Sequence, residues 1–531
     1  MARLADAQNI EMPTSVEELR NLREKLGRKA TTMIRMMRNV SPQYPVPSPP
    51  RGQPSLPAAI KGAIVAGSEY EYFYVWTRDS AIIMNKFIDF YEKETDPAMK
   101  KVWSDIYWDW VGFNKIVLNI SPFGPAAAKF LANGTKHNHP FWGEPQDDGP
   151  ALRALVNMRM MRIFIREGCD RSVLERLYNK DLTSLSLIKT DLEYTTHHYF
   201  MKSYDIWEEK FAHHYATKVF QWAALHEGAK FAQVMGDVGI DGAAEVYRTS
   251  AIEAKKWVLS FRDEKNHFIR AYRDWVGRDG QPIKENEAVL DVAVLLAHLI
   301  VNPYGGLISQ TGDPDDNFIG IKDDLLLGTV QKLESTFKAE YSINQDKHLA
   351  IATGRYPKDH YRGGNPWLLS MAGVGEFYVL LAEEWLKSGL NPFNEHTTEF
   401  YRDLAYAAAG DRWIQMTKKN LKYSNFEGIQ RQSYPYLKSL DVLGSADEGA
   451  KSELATKRFI RFAARKGHAY EDEVYLHQNS DGSLPEQISR DIKAPDAKIT
   501  IQDLGWSCAA GLRLIDERAK LASRLRMNRR F

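Results

Sequence analysis

The sequence YDIWEE, residues 204–209, places two adjacent glutamates directly after a tryptophan and ahead of a long amphipathic run. A carboxyl group beside an aromatic wall and a like charge tends to stay protonated near neutral pH, because both surroundings raise its pKa. Such a group can give its proton to a leaving oxygen. The structural alternative is a Glu-Glu pair at the start of a helix, where negative charge complements the helix dipole. A catalytic role needs a second carboxylate, and our candidate is Glu486 in GSLPEQ, residues 482–487.

Helical periodicity continues on both sides of this hexapeptide and predicts an all-α fold. Ser15 is a suitable cap for a helix over 15–39, and Asp148 is one for a helix that Gly168 ends. Further helical runs are predicted after residue 80 and near 171–201, 209–236, 240–260, 285–302, 324–340, 366–388, 397–422, 451–466 and 501–523. About a dozen helices are predicted in all, whereas the best candidate for a strand is the single segment 268–272.

The proline-dense segment 41–57 separates two parts of the chain. Proline cannot continue a helix, so we interpret this segment as an extended strap. Residues 1–57 are therefore predicted to form an N-terminal helix and a strap packed on the main domain. Residues 58–525 carry evenly spaced helices with no further linker, which favours one large domain over three.

Composition and charge exclude several classes of function. The 531 residues carry a formal net charge of +1, so no general basic excess indicates binding to nucleic acid. Cys169 and Cys508 are too few for a disulfide framework, and the sequence leaves open whether they pair. No run approaches the roughly 18 apolar residues of a membrane span, and the N-terminus lacks the apolar core of a signal peptide. As given, the chain is expected to be cytoplasmic and monomeric, although a native leader could have been replaced.

No cofactor or metal site is predicted. Residues 313–317, DPDDN, imitate the start of a calcium loop, but Phe318 stands where the turn needs glycine. Two adjacent histidine pairs, at 197–198 and 213–214, lack the spacing of zinc ligands. The 13 tryptophans and 25 tyrosines, in contrast, are residues that stack on sugar rings as well as in protein cores.

The loops that carry the chemical motifs share a position, because each directly precedes a predicted helix. They are Trp76–Asp79, Trp142–Asp148, Trp207–Glu209, Arg355–Trp367 and the segment from Glu486 onward. If the helices form a ring, loops at the helix starts gather at one end of it. We therefore expect one pocket there, with aromatic walls and two carboxylates.

Five stretches resemble those of the glucoamylases, glycoside hydrolase family 15, and they occur in that family's order. They are YFYVWTRDS at 72–80, WGEPQDDGPALR at 142–153, YDIWEE at 204–209, GRYPKDHY through NPW at 354–367, and EQ at 486–487 followed by DLGWS at 503–507. The resemblance implies an (α/α)6 barrel of six helical hairpins, with an inner ring of helices inside an outer one. It also implies inverting, exo-acting release of β-D-glucose from the non-reducing ends of α-1,4-linked malto-oligosaccharides and soluble starch.

By position in these motifs, Glu208 resembles the family's general acid and Glu486 its general base. Inverting hydrolysis needs one carboxylic acid to protonate the leaving oxygen and one carboxylate to activate a water on the opposite face of the sugar. The two carboxyl groups should lie roughly 6.5–9.5 Å apart to leave room for that water. Thr500 resembles a hydroxyl that orients the base. Without the other motifs, Glu486 in its polar loop would be interpreted as a solvated surface glutamate.

The remaining matches imply substrate-binding residues. Arg78 and Asp79 offer donors beside an acceptor for the terminal sugar, although an ion pair at the start of a helix explains them as well. Tyr72 resembles a tyrosine close to the reacting carbon, while Glu209 and Arg355 resemble groups that grip the next sugar. The pocket walls are predicted to be Trp76, Trp142, Trp207, Trp367 and Trp506, each of which could equally be a core residue.

Some positions depart from the family's motifs. Glu144 and Asp147 stand where the family has arginines, which we expect to change the electrostatic field near the mouth, and Gly505 stands where it often has threonine. No starch-binding module is expected after the catalytic region, so soluble dextrins or short oligosaccharides are the expected substrates. Two other functions stay open: an isomaltose- or trehalose-type α-glucosidase of the same fold, and a non-catalytic glycan-binding regulatory module.

Overall fold

The computed structural model describes residues 32, 45–118, 120–137, 139, 142–180, 186–240, 242–276, 281, 289–308, 320–409, 448–495, 499 and 501–527. Apart from Thr32, the helix predicted over 15–39 lies outside these residues. Residues 313–317, Thr500 and the part of the predicted helix beyond residue 409 lie outside them too. Residues 45–57 of the strap contain no helix.

Thirteen helices fall within the described residues and account for most of the fold. They are α1 (Thr77–Lys93), α2 (Pro97–Val117), α3 (Asp148–Arg166), α4 (Arg171–Glu175), α5 (Leu187–His198), α6 (Tyr215–Val234), α7 (Ala243–Leu259), α8 (Ala293–Ile308), α9 (Asp324–Glu340), α10 (Leu368–Ser388), α11 (Thr398–Ala409), α12 (Glu448–Leu476) and α13 (Gly505–Met527). The strands are β1 (Tyr74–Trp76), β2 (Lys129–Leu131), β3 (Ser203–Tyr204), β4 (Phe211–His214), β5 (Arg262–Asp263), β6 (Phe268–Ile269) and β7 (Tyr272–Val276).

Six of the described helices form a closed inner ring. Helices α1, α3, α6, α8, α10 and α13 contact one another in that order, and α13 returns to α1. Other helices pack outside them: α2 on α1, α5 on α3 and α6, α7 on α6, α9 on α8, and α12 on α10 and α13. The inner helices are apolar around most of their circumference, as the unbroken run of buried residues from Leu368 to Glu383 in α10 illustrates.

Glycines allow α12 to lie close against α10. A Cβ atom on Gly375 would come within 2.6 Å of the Cβ of Tyr470, and one on Gly467 would lie 2.5 Å from Cγ2 of Val379. Both distances are shorter than close-packed carbon atoms allow, so a larger residue would push the helices apart. The sequence therefore sets the spacing between the inner and outer layers at this contact.

Two of the short strands, β1 and β4, lie immediately before inner helices. β1 pairs with β2 and ends at Trp76, where α1 begins. β4 pairs with both β3 and β7 and ends at His214, where α6 begins. The helix predicted from residue 209 therefore begins only at Tyr215, because the strand pairing of residues 211–214 takes up their backbone groups.

Several sequence predictions of elements need correction. The helix predicted over 171–201 is two helices, α4 and α5. The strand predicted over 268–272 divides between β6 and β7, which pair with different partners. Helix α2 was not predicted. The prediction that Asp148 caps α3 is wrong, because the helix begins at this residue and its carboxylate accepts a hydrogen bond from Nη1 of Arg78 at 2.9 Å.

Candidate active site

The loops before the inner helices meet at one end of the ring, where they enclose a cavity of about 660 Å³. Apart from Thr500, which lies outside the described residues, the site residues predicted from the sequence all line it: Tyr72, Trp76, Arg78, Asp79, Trp142, Trp207, Glu208, Glu209, Arg355, Trp367, Glu486 and Trp506. Its innermost lining includes buried residues such as Arg78, Ile206 and Leu504, whereas Pro50, Gln53 and Glu71 at the mouth are exposed. The cavity is therefore closed at one end and open at the other.

One carboxyl oxygen of Glu208 accepts two hydrogen bonds, which hold the side chain in place. Its Oε1 accepts a hydrogen bond from Nε1 of Trp76 at 2.7 Å and another from Nε2 of Gln146 at 2.8 Å. Nη2 of Arg78 lies 3.6 Å from the same oxygen. Gln146 belongs to the motif at 142–153, but nothing in its local sequence indicates which side chain it reaches.

The backbone of Glu208 is strained. Its φ of 67° lies in the left-handed region, which non-glycine residues rarely adopt. The chain passes tightly here, because a Cβ on Gly143 would come within 2.6 Å of the Glu208 carbonyl oxygen. Non-glycine residues in this conformation concentrate at sites where the surrounding structure fixes a functional side chain.

Glu486 lies in the same cavity but is only 1% exposed, so the interpretation as a solvated surface glutamate is wrong. Its Oε1 accepts a hydrogen bond from the Tyr72 hydroxyl at 2.7 Å, and Nε2 of Gln487 lies 3.2 Å from its Oε2. Burial, together with the charge of Glu486, raises the pKa of Tyr72 well above its ordinary value. Tyr72 therefore remains a hydrogen-bond donor to the carboxylate at any ordinary pH.

Arg78 and Asp79 belong to the first turn of α1 and are both buried. Nη1 of Arg78 donates to Gln146 and to Asp148, each at 2.9 Å, and its Nε lies 3.7 Å from Asp79. Burial raises the pKa of Asp79 to about 6, although Arg78 acts in the opposite direction. The guanidinium thus connects the network around Glu208 with a carboxyl group that titrates in the physiological range.

Arg355 and Glu209 form a second polar cluster on the cavity wall. Arg355 makes two hydrogen bonds of 2.7 Å to Asp359 and a third of 2.7 Å to Glu209. The guanidinium carbon also lies 5.4 Å from the ring centre of Trp207 and 5.2 Å from that of Trp367, within the range of cation–π attraction. These contacts fix Arg355 from several sides and leave little freedom for its rotamer.

Trp207 is anchored by Asp291, which the sequence analysis missed. Its Nε1 lies 3.1 Å and 3.0 Å from the two carboxyl oxygens of Asp291, and its ring contacts those of Trp367 and Trp506. Burial raises the pKa of Asp291 to about 7. A signal was present, because Asp291 is the single charged residue in the apolar run VLDVAVLL, residues 289–296.

Lys129 is a second residue that the sequence analysis missed. It lines the cavity and is 2% exposed, with Nζ 3.1 Å from the ring centre of Trp142 and 4.5 Å from that of Tyr74. Burial lowers the pKa of Lys129 to about 7, against the opposing effect of Glu208. Nothing in its local sequence, AAAKFLA, indicates this aromatic surrounding, which depends on pairing of β2 with β1.

The two acids that replace family arginines lie in different surroundings. Oε1 of Glu144 accepts from the backbone N–H of Ala128 at 2.8 Å and lies 3.5 Å from Nε2 of His137. Asp147 is 1% exposed and accepts from the hydroxyl of Tyr194 at 2.9 Å. Neither side chain lines the cavity. The expectation that both acids change the electrostatic field near the mouth stays a prediction, and the Tyr194 partner of Asp147 belongs to α5.

No group of three or more His, Cys, Asp or Glu side chains in the described part of the chain is arranged to hold a metal ion. None of the described helices is both long and apolar enough to cross a bilayer.

The family model of glycosyl hydrolases family 15 matches residues 51–516. The chain belongs to this family. A glucoamylase of Blastobotrys adeninivorans is 25% identical over 474 residues, covering 86% of this chain and 67% of the relative. A probable glucoamylase of Schizosaccharomyces pombe is 28% identical over 472 residues, covering 86% of this chain and 85% of the relative.

Solved structures support the same fold. A family 15 glucoamylase from Hypocrea jecorina superposes with a TM-score of 0.70 at 20% identity, covering 96% of this chain and 73% of that one. The predicted all-α fold is confirmed, and the inner ring with its outer helices is the (α/α)6 barrel of the family. The protein is therefore a glycoside hydrolase of the glucoamylase-like family.

Proposed function

We propose that this glycoside hydrolase is an inverting, exo-acting glucoamylase that releases β-D-glucose from the non-reducing ends of α-1,4-linked malto-oligosaccharides and soluble starch. One observation carries the proposal: Glu208 and Glu486, far apart in sequence, line a single cavity, and each has its own set of hydrogen-bond donors. Two carboxyl groups that face one sugar-sized cavity are what inverting glycoside hydrolysis requires.

In this proposal Glu208 is the general acid. Trp76 and Gln146 both donate to its Oε1, so a proton on the carboxyl group belongs on the other oxygen, Oε2. Transfer of that proton to the glycosidic oxygen leaves a carboxylate, which the same two N–H groups and Arg78 at 3.6 Å stabilise. The donors thus favour the charge distribution that develops during bond cleavage.

Glu486 is the general base that accepts a proton from the attacking water. A base must be ionised to do so, and the hydroxyl of Tyr72 stabilises the ionised form by donating to it. The pKa of Tyr72 is raised well above its ordinary value by burial, so this hydroxyl does not compete for the proton. Water attack opposite the leaving group inverts the anomeric centre and gives the β-anomer.

The closed end of the cavity supports exo-action. Arg78 and Asp79 are buried there, where a terminal sugar would meet a guanidinium donor and a carboxyl acceptor. With these buried residues at its closed end, the cavity would admit a glucan chain by its terminal sugar. Glu209 and Arg355 lie on the same cavity lining as candidates for binding the second sugar, and the tryptophan walls exclude bulk water around the reacting bond.

The preference for α-1,4 links is supported by the similarity to glucoamylases named above, and a substrate panel tests it. The full chain should hydrolyse maltose and maltotriose faster than isomaltose or trehalose. Preferential hydrolysis of isomaltose or trehalose would contradict the linkage assignment. Sugar binding with no turnover of any substrate would instead favour the non-catalytic module.

Two conservative variants test the assigned residues. Glu208→Gln and Glu486→Gln should each lower kcat on maltotriose by about a thousandfold or more, because each removes a proton-transfer group. Glucose binding, followed by quenching of tryptophan fluorescence, should persist in both variants. Near-parental turnover in either variant would refute its assignment.

A further inference from the structure

We propose that residues 69–71, which we call the rim clamp, narrow the mouth of the cavity and make the enzyme favour short oligosaccharides. The inference rests on the proposed function, because it concerns where the sugars beyond the cleaved bond must pass. It assigns a role in substrate selection to residues that touch neither proposed catalytic carboxylate.

Each residue of the rim clamp is tied to a different segment of the chain. Oε1 of Glu69 accepts from the backbone N–H of Gln502 at 2.8 Å. The hydroxyl of Tyr70 donates to the carbonyl oxygen of Pro54 at 2.7 Å. Glu71 forms an ion pair with Arg362. Three segments that are distant in sequence are therefore joined through three consecutive residues.

The rim clamp and the strap border the cavity mouth. Tyr70 and Glu71 line the cavity together with Pro50 and Gln53 of the strap. Pro50, Gln53 and Glu71 are exposed, in contrast to the buried residues at the closed end. A sugar chain whose terminal unit occupies the closed end would leave between them. The bond from Tyr70 to Pro54 holds the strap against this opening.

The opposite partner of the clamp, Arg362, is itself held in place. Its φ of 48° is left-handed, which costs a non-glycine residue free energy and persists only where contacts fix the backbone. Its Nε donates to the hydroxyl of Tyr361 at 3.3 Å, and that hydroxyl lies 2.9 Å from the hydroxyl of Tyr72. The ion pair with Glu71 thus joins two walls of the cavity near its opening.

A mouth narrowed in this way discriminates between substrates by their chain length. A disaccharide needs room for one sugar beyond the cleaved bond, whereas a heptasaccharide must pass six sugars through the opening. Loosening the ion pair should therefore relieve a restriction that long substrates meet and maltose meets little. The ratio of kcat/KM for maltoheptaose to that for maltose measures this effect without depending on the absolute rate.

The experiment compares Glu71→Gln and Arg362→Gln with the parent. Each variant should raise the maltoheptaose-to-maltose ratio about three- to fivefold, the range that one exposed ion pair accounts for. The charge-swapped double variant Glu71→Arg/Arg362→Glu should return the ratio to within about twofold of the parent, because it restores the pair.

A matched control is Arg248→Gln, which breaks the exposed Arg248–Glu245 pair on α7, outside the inner ring. This variant should leave the ratio unchanged. Binding of maltose and maltoheptaose, measured by tryptophan fluorescence on the same variants, should move in parallel with the kinetic ratio.

Two results separate failure of the inference from failure of the proposed function. If the parent hydrolyses maltose but neither single variant changes the ratio, or the charge swap does not restore it, the rim clamp does not select chain length. If the parent neither hydrolyses nor binds either sugar, the proposed function fails and the inference falls with it.

Discussion

Removing Gln146 should slow catalysis although its side chain does not line the cavity. Gln146 is 2% exposed, and its Nε2 lies 2.8 Å from Oε1 of Glu208. A hydrogen bond to a charged group contributes about 1.5–3 kcal/mol, which corresponds to roughly 10- to 150-fold in rate. Trp76 still donates to the same oxygen and Arg78 still lies near it, so we expect Gln146→Ala to lower kcat by about 10- to 30-fold.

The assay is steady-state hydrolysis of maltotriose by the full chain, with kcat and KM determined separately. KM should stay within about twofold of the parent, because Arg78 keeps its bond to Asp148 when its bond to Gln146 is lost. The bond lost at Glu208 stabilises the carboxylate that forms during cleavage rather than the bound sugar. Gln221→Ala is a suitable control, since Gln221 is equally buried but contacts Lys218. A kcat of Gln146→Ala within about twofold of the parent, or a rise in KM alone, would refute this reasoning.

Three further predictions follow from the charge and packing of single residues. Because burial raises the pKa of Asp79 to about 6, KM for maltose should rise as the pH falls through 6, and Asp79→Asn should have a high KM without this dependence. The folded-state pKa of Asp291, about 7, exceeds the unfolded value of about 4, so as the pH rises between these values the unfolded chain loses its proton first and the fold loses stability. Asp291→Asn should therefore gain stability relative to the parent between pH 5 and pH 8, by about 2–3 kcal/mol in urea titrations, and an equal difference at both pH values would contradict this. Gly62→Ala should lower the free energy of unfolding by more than about 2 kcal/mol, because its Cβ would lie 1.9 Å from the carbonyl oxygen of Asp109. Gly52→Ala is the control, since Gly52 has the same φ of 85° but open space around it, and it should cost about 1 kcal/mol. Equal losses in the two variants would disprove the packing argument.

The fold was predictable because the inner helices repeat an apolar periodicity that strands cannot satisfy. The starts of the elements were less predictable, since they depend on distant pairing. Residues 211–214 continue the amphipathic pattern of α6 but pair with β3 and β7 instead. Helix α2 was missed although Trp103, Tyr107 and Trp110 recur at helical spacing and are buried on one face.

The location of the site was predictable for a topological reason: motifs placed at the starts of the inner helices of a ring must meet at one end. The partners within the site were not predictable in the same way. Asp148 was assigned to a helix cap, yet it binds Arg78 because α1 and α3 lie side by side. Lys129 and Asp291 acquire their surroundings only when distant segments pack against them. Lys129 lies over the ring of Trp142, and Asp291 accepts a hydrogen bond from Trp207.

The configuration of the first glucose released from maltotriose tests the central claim most directly, namely that Glu208 and Glu486 act as an acid and a base with a water between them. Proton NMR during the first minutes of digestion distinguishes the anomers before mutarotation mixes them. If the two glutamates act in this way, β-glucose accumulates first. Initial accumulation of α-glucose would contradict it.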